Sequence, residues 1–160
     1  MIMRILAVGR LREKHWQDAA YDYARRLRPY ARLEIGELPE VRIPENASRA
    51  EEVRAMNQNA FAIHEILSRH GGHVVVLDRK GKAMDSLELA RWLQTGLLEG
   101  RNEITWVIGG PLGLTSSVLE RADLVLSLSR MTFPHQMARL MLMEQIYRSF
   151  RIMHHEPYHK

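Results

Sequence analysis

The apolar residues of this chain fall into short continuous runs separated by longer amphipathic stretches, which predicts strands alternating with helices. Met1 to Val8 reads as a first strand closed by Gly9. Lys14 to Leu27 sets Trp16, Ala19, Ala20, Tyr23 and Leu27 on one helical face, and Pro29 stops it. Leu33 to Leu38 predicts a second strand, and Pro39 to Asn46 a loop. Ser48 and Glu51 have the spacing of a capping box, which opens a helix running to about Arg69 before Gly71-Gly72. His73 to Asp78 (HVVVLD) has no polar alternation and so predicts a strand buried on both faces. Asp85 with Glu88 caps a third helix to about Leu98, and Gly100 ends it. Ile104 to Ile108 is another buried strand, Thr115 to Arg121 a short helix, and Leu124 to Leu128 a last strand. Pro134 to about Met153 forms the final helix.

This alternation predicts an α/β fold with a largely parallel sheet covered on both faces. With no repeat, low-complexity tract or long linker, residues 1–160 form one domain. At this length a chain buries roughly 70% of its unfolded surface.

The final helix is apolar around most of its circumference, through Met137, Leu140, Met141, Leu142, Met143, Ile146, Tyr147, Phe150, Ile152 and Met153. Glu144, Arg148 and Arg151 share one narrow polar stripe, with Glu144 and Arg148 spaced to pair. A helix this apolar is buried on more than one side. The sheet covers one, and the expected cover for the other is a second copy in a two-fold dimer, the alternative being a central helix of a monomer. Pro134 suits the first helical position, where free N–H groups receive an anion. Arg130, His135 and the later His154, His155, Tyr158, His159 and Lys160 are expected to gather at one rim.

In open parallel sheets small molecules bind beyond the carboxyl ends of the strands. Three such ends stand out: Leu77-Asp78, Gly109 to Gly113, and Leu128 to Pro134. Each alone reads as a turn. The glycines do not give GxGxxG and there is no P-loop, so no nucleotide motif supports a dinucleotide or NTP site. His155 and His159 are four apart, but Pro157 between them breaks any helix that would align them, and no HExxH occurs, so no metal is expected.

The formal charge of +4 gives weak support for a polyanionic partner. Cysteine is absent, which excludes disulfides and thiolate zinc sites. No stretch is apolar enough to span a membrane, and MIMRILAVGRLREKHW is too charged for a secretory leader, so a cytoplasmic location is expected.

The segments ILAVGRLREKHW, VVVLDRKGK, WVIGGPLGL, LSLSRMTFPHQMARLMLMEQIYRSFRIM and HEPYHK together resemble the ribosomal RNA large subunit methyltransferase H family of the SPOUT superfamily. The combination of IGGPxGL, SxMTxPHxxxR and PYH is specific, and the resemblance spans essentially the whole chain. It implies a SPOUT-type α/β knot, with the C-terminal segment threaded as a trefoil, and a homodimer that uses S-adenosylmethionine. The implied substrate is N3 of a pseudouridine in the helix 69 loop of 23S rRNA, within the assembled 70S ribosome. The implied cofactor positions are Leu77, Gly109, Leu128, Ser129, Arg130, Met131, Thr132 and Phe133. The implied substrate-side residues are His135, Arg148, Tyr158 and His159, with Lys160 beside them.

Methyl transfer to N3 needs an acceptor held in line and shielded from water. The imide proton is about as hard to remove as a phenol's, with a pKa of roughly 10. A base or a stabiliser of the anion is therefore expected, with His135 and His159 as candidate bases and Arg130 and Arg148 as candidate stabilisers. Two other readings stand beside this one: a non-catalytic ribosome- or RNA-binding protein of the same fold, and a transfer RNA methyltransferase. The intact glycine and knot-loop motifs weigh against the first, and the PYH segment and lack of an appended RNA-binding domain against the second.

Overall fold

A computed structural model describes residues 1–70 and 72–159. Its five strands are β1 (Ile2–Val8), β2 (Arg32–Leu38), β3 (His73–Ala83), β4 (Glu103–Ile108) and β5 (Leu124–Ser127). They form one sheet in the order β2-β1-β4-β3-β5, and every pairing is parallel. The helices between and after them are α1 (Lys14–Leu27), α2 (Arg49–Arg69), α3 (Ser86–Leu98), α4 (Ser116–Glu120) and α5 (His135–Met153).

Because successive side chains on a strand point to opposite faces, β1 sends Met3, Ile5 and Ala7 one way and Leu6 and Val8 the other. The first set meets α1, α3 and α5 around Trp106, and the second meets α2 and α4. Arg4 is the polar exception within β1. It is held across the sheet by Glu34 at 2.8 Å and Glu103 at 2.6 Å, the acids that neighbouring strands bring beside it. Both expected capping boxes are formed, Ser48 with Glu51 and Asp85 with Glu88.

Two boundaries differ from the sequence reading. β3 continues past Asp78 to Ala83, because its pairing with β5 breaks after Leu77 and resumes at Lys82. Pro134 caps α5 with an extended ψ of 143° instead of occupying its first turn. The greasiness of α5 also has a largely internal cause. The helix lies between α1 and α3 over the sheet, burying Leu142, Met143, Ile146, Tyr147 and Phe150. Its half-buried residues include Met137, Leu140, Met141, Glu144 and Arg148.

Candidate active site

The carboxyl ends of β3, β4 and β5 open into a cleft of about 780 Å³, a size that suits a small-molecule ligand. Its first wall follows Leu77. There the break in β3–β5 pairing lets Asp78, Arg79 and Lys80 turn outward, with the Asp78 carboxylate accepting from the Lys80 backbone at 2.7 Å.

The second wall follows Ile108. Gly110-Pro111-Leu112-Gly113 makes a tight turn in which Gly113 N donates to Gly110 O at 2.9 Å. Gly113 has φ +79°, a conformation that favours glycine. A Cβ on Gly109 would stand 2.9 Å from Leu114 Cγ, so only glycine lets this strand end lie against the turn.

The third wall is the segment from Leu128 to Pro134. Ser127 Oγ lies within hydrogen-bond distance of the carbonyls of Arg79 (3.1 Å) and Ser129 (3.0 Å), tying the first wall to the third. Ser129 Oγ accepts from Met131 N, which folds the segment back on itself. Arg79 also donates to Thr132 Oγ1 at 3.4 Å.

Of the expected cofactor positions, Leu77, Gly109, Leu128, Ser129, Met131, Thr132 and Phe133 line this cleft. Arg130 does not; it is exposed and lies outside the lining. Asp78 and Gly110, which the sequence reading placed at ligand-binding strand ends, line it as well, as do Arg79, Lys80 and Leu114, to which it assigned no role. The signal for Gly110 and Leu114 lay inside the quoted WVIGGPLGL.

His135 stands at the mouth of the cleft, with its ring packed on Gly9, where a Cβ would come within 2.7 Å of Nε2. Burial holds its imidazole below the ordinary histidine range; Glu40 and Glu13 oppose that shift and Arg139 adds to it. The ring is therefore neutral near pH 7 and can accept a proton. Arg139, the last residue of the SxMTxPHxxxR pattern, is only 1% exposed. It pairs with Glu37 and donates to the Gly9 carbonyl at 2.7 Å, anchoring the strand end under His135. The sequence reading quoted this arginine without assigning it a role.

The remaining expected residues form a separate cluster. Arg148 binds Glu144 Oε1 through Nε at 3.0 Å and Nη2 at 2.6 Å, and its Nη1 lies 3.4 Å from His159 Nδ1. The Tyr158 hydroxyl donates to the same carboxylate oxygen at 3.1 Å, while its ring lies under the Arg148 guanidinium. Burial, with Tyr23 and Glu144 nearby, raises the Tyr158 phenol well above its usual range, so it remains a donor. Lys160 lies outside the described residues.

The expectation that His135 and the later residues share one rim is corrected for a single chain. Residues 135–153 are one continuous helix, so at 1.5 Å per residue Arg148 stands about 20 Å along its axis from His135. The segment after α5 folds back along it, fixed by Glu156 contacts to Tyr30 and Arg151. Among the described residues no group of three or more metal-ligating side chains assembles, and no helix is long and apolar enough to cross a membrane.

Residues 1–159 match the family described as "Predicted SPOUT methyltransferase". The chain is 47% identical over 156 residues to a Ribosomal RNA large subunit methyltransferase H from Desulforamulus reducens, covering 98% of this chain and 97% of that protein. It is 48% identical over 161 residues to the protein of the same name from Symbiobacterium thermophilum, covering 100% of each. In fold it is similar to a solved probable methylase family protein from Haemophilus influenzae Rd KW20, with TM-score 0.55 at 12% identity, covering 99% of this chain and 70% of the other.

Proposed function

The chain belongs to the SPOUT methyltransferase family, and from that premise we propose that it methylates large-subunit ribosomal RNA. More finely, the proposed acceptor is N3 of a pseudouridine in the helix 69 loop of 23S rRNA, in the assembled 70S ribosome. S-adenosylmethionine is the methyl donor, and the active species is a cytoplasmic homodimer. The observation that carries this reading is the convergence of three separated segments, after Leu77, Gly109 and Leu128, on one cleft, in a chain that matches rRNA methyltransferases end to end. A C-terminal segment threaded as a trefoil knot belongs to the same proposal; the close seating of residues 128–134 beside the 109–114 turn supports it.

The cleft suits an adenosine-bearing donor. Leu77, Ile108, Leu114, Leu126 and Leu128 offer apolar walls for a purine, while the absence of a Cβ at Gly109 and Gly110 leaves backbone groups accessible. Arg79 and Lys80 at the rim match a carboxylate. S-adenosylmethionine supplies an electrophilic methyl group on its sulfonium. The apolar walls keep water from that centre.

Neutral His135 is the proposed proton acceptor for the N3 imide. Burial holds its conjugate acid below the ordinary histidine range, so full proton transfer from an acid with a pKa of roughly 10 would be strongly uphill. The proton therefore leaves as the methyl bond forms, and a cation must stabilise the uracil oxygens. Arg148, oriented by Glu144 and backed by Tyr158, has that chemistry but sits too far along α5 to serve its own cleft. The reading therefore has Arg148, Tyr158 and His159 of one subunit complete the cleft of the other. The half-buried Met137, Leu140 and Met141 on α5 supply an apolar contact face.

The experiment is to map N3 methylation across 23S rRNA from cells lacking this protein, before and after adding it back with S-adenosylmethionine. Appearance of the mark at one helix 69 position is expected. Unmodified rRNA after addition would refute the activity, and failure to bind S-adenosylmethionine would favour a purely RNA-binding role.

A further inference from the structure

Beside the cleft lies a second, open trough of about 560 Å³, whose walls include Arg10, Arg12, Glu13, Glu40, Arg42 and His135. It is built by the segments that follow β1 and β2 at the carboxyl edge of the sheet. Gly9, with φ +98°, turns the chain away from β1 and leaves room for the His135 ring to pack on it. His135 borders both cavities, so its imidazole is the partition between them.

The three arginines are exposed, and none forms an ion pair among the described residues, although Glu13 and Glu40 share the trough. Other exposed arginines divide: Arg25, Arg26, Arg49 and Arg69 each take a carboxylate on their own helix, whereas Arg28, Arg54, Arg91 and Arg121 form no ion pair among the described residues, so what sets these three apart is their convergence on one trough beside the cleft. A guanidinium not engaged by a carboxylate keeps its planar fork available for phosphate. With two acids facing three cations, the trough has only a small positive excess, so recognition must come from discrete guanidinium–phosphate pairs.

We infer that this trough is a phosphate track, in which Arg10, Arg12 and Arg42 hold the RNA backbone next to the target nucleotide while its base passes His135 into the cleft. This rests on reading the cleft as an rRNA methylation site, and it adds where the strand runs. The track positions RNA and contacts no reacting atom.

The test uses full-length protein and 70S ribosomes. Arg10→Ala/Arg12→Ala/Arg42→Ala should raise the KM for ribosomes at least ten-fold and weaken co-sedimentation with them, while kcat and the calorimetric affinity for S-adenosylmethionine stay at parental values. Each lost single-strand phosphate contact removes roughly 0.7 from the salt slope, so three remove about 2, and doubling potassium chloride weakens the parent about fourfold more than the variant. Arg25→Ala/Arg69→Ala, which removes two exposed cations elsewhere, should leave all these values unchanged. Glu13→Gln/Glu40→Gln should tighten ribosome binding, a gain of function that misfolding cannot imitate.

Parental KM and salt slope in the arginine variant would overturn the inference. So would a loss of binding with an unchanged salt slope, which would assign the surface to a ribosomal protein. If the parent methylates ribosomes while the arginine variant is indistinguishable from it, the track alone is wrong. If the parent neither methylates nor sediments with ribosomes, the reading of the cleft falls as well.

Discussion

The distance between His135 and Arg148 makes the shared-site proposal quantitative. Both groups must come within hydrogen-bond reach, near 3 Å, of the same base. They sit on one unbroken helix, about 20 Å apart along its axis, and Glu144 holds Arg148 along the helix surface. No rotamer change closes that gap within one chain. Co-expressing His135→Asn and Arg148→Met subunits under two affinity tags and purifying through both yields only mixed dimers. If each cleft takes His135 from one subunit and Arg148 from the other, a mixed dimer has one intact site and one doubly defective site. Its activity should be about half the parental value for a two-fold dimer. Removing a general base costs about 10²–10⁴ in rate, and removing a stabiliser of developing charge about 10²–10³, so each parent variant alone gives a negligible background. The assay is tritium transfer from S-adenosylmethionine to ribosomes. A mixed dimer no more active than its stronger parent variant would refute the crossed arrangement.

Three further outcomes follow from the geometry. Gly109→Val should abolish S-adenosylmethionine binding by calorimetry, because Cβ would press Leu114 Cγ at 2.9 Å; normal affinity would contradict the cleft. His135 must be neutral to accept a proton, and its imidazole titrates below 6.5. The log of kcat/KM should therefore rise with pH and bend to a plateau with its midpoint below the ordinary histidine value of about 6.5, with this limb absent in His135→Asn; the same limb in the variant would clear histidine of the role. Breaking a buried ion pair costs about 3–5 kcal/mol. Glu37 is 31% exposed and can rehydrate, whereas Arg139 at 1% cannot. Glu37→Gln should therefore destabilise more than Arg139→Met in urea unfolding at fixed protein concentration, with the double variant at least about 1 kcal/mol short of the sum.

Much of the fold was legible because its signals are local. The continuous apolar runs and period-3.6 patterns, together with the Ser48 and Asp85 capping boxes, place nearly every strand and helix to within a few residues. The exceptions depend on distant partners. β3 extends to Ala83 only because β5 is there to pair with it, and α5 is greasy largely because α1 and α3 flank it. The same division holds at the site. Backbone-driven positions such as Gly109 and the Leu128–Phe133 segment carry their own sequence marks, apart from exposed Arg130. Arg139 and Gly9 act through a contact between residues 130 positions apart, which no spacing rule reaches. The grouping of His135 with Tyr158 and His159 failed in one chain because adjacency in a motif says nothing about which end of a helix each residue occupies.

The place of α5 in the order of synthesis bears on how the protein is made. Five of its side chains, Leu142, Met143, Ile146, Tyr147 and Phe150, complete the core between α1 and α3. A nascent chain that has emerged only through β5 therefore carries an open apolar furrow along one face, and its donor cleft lacks the wall from Leu128 to His135. Until translation passes that helix the furrow stays uncovered and the cleft lacks one of its three walls, so ligand binding can begin only once α5 has folded.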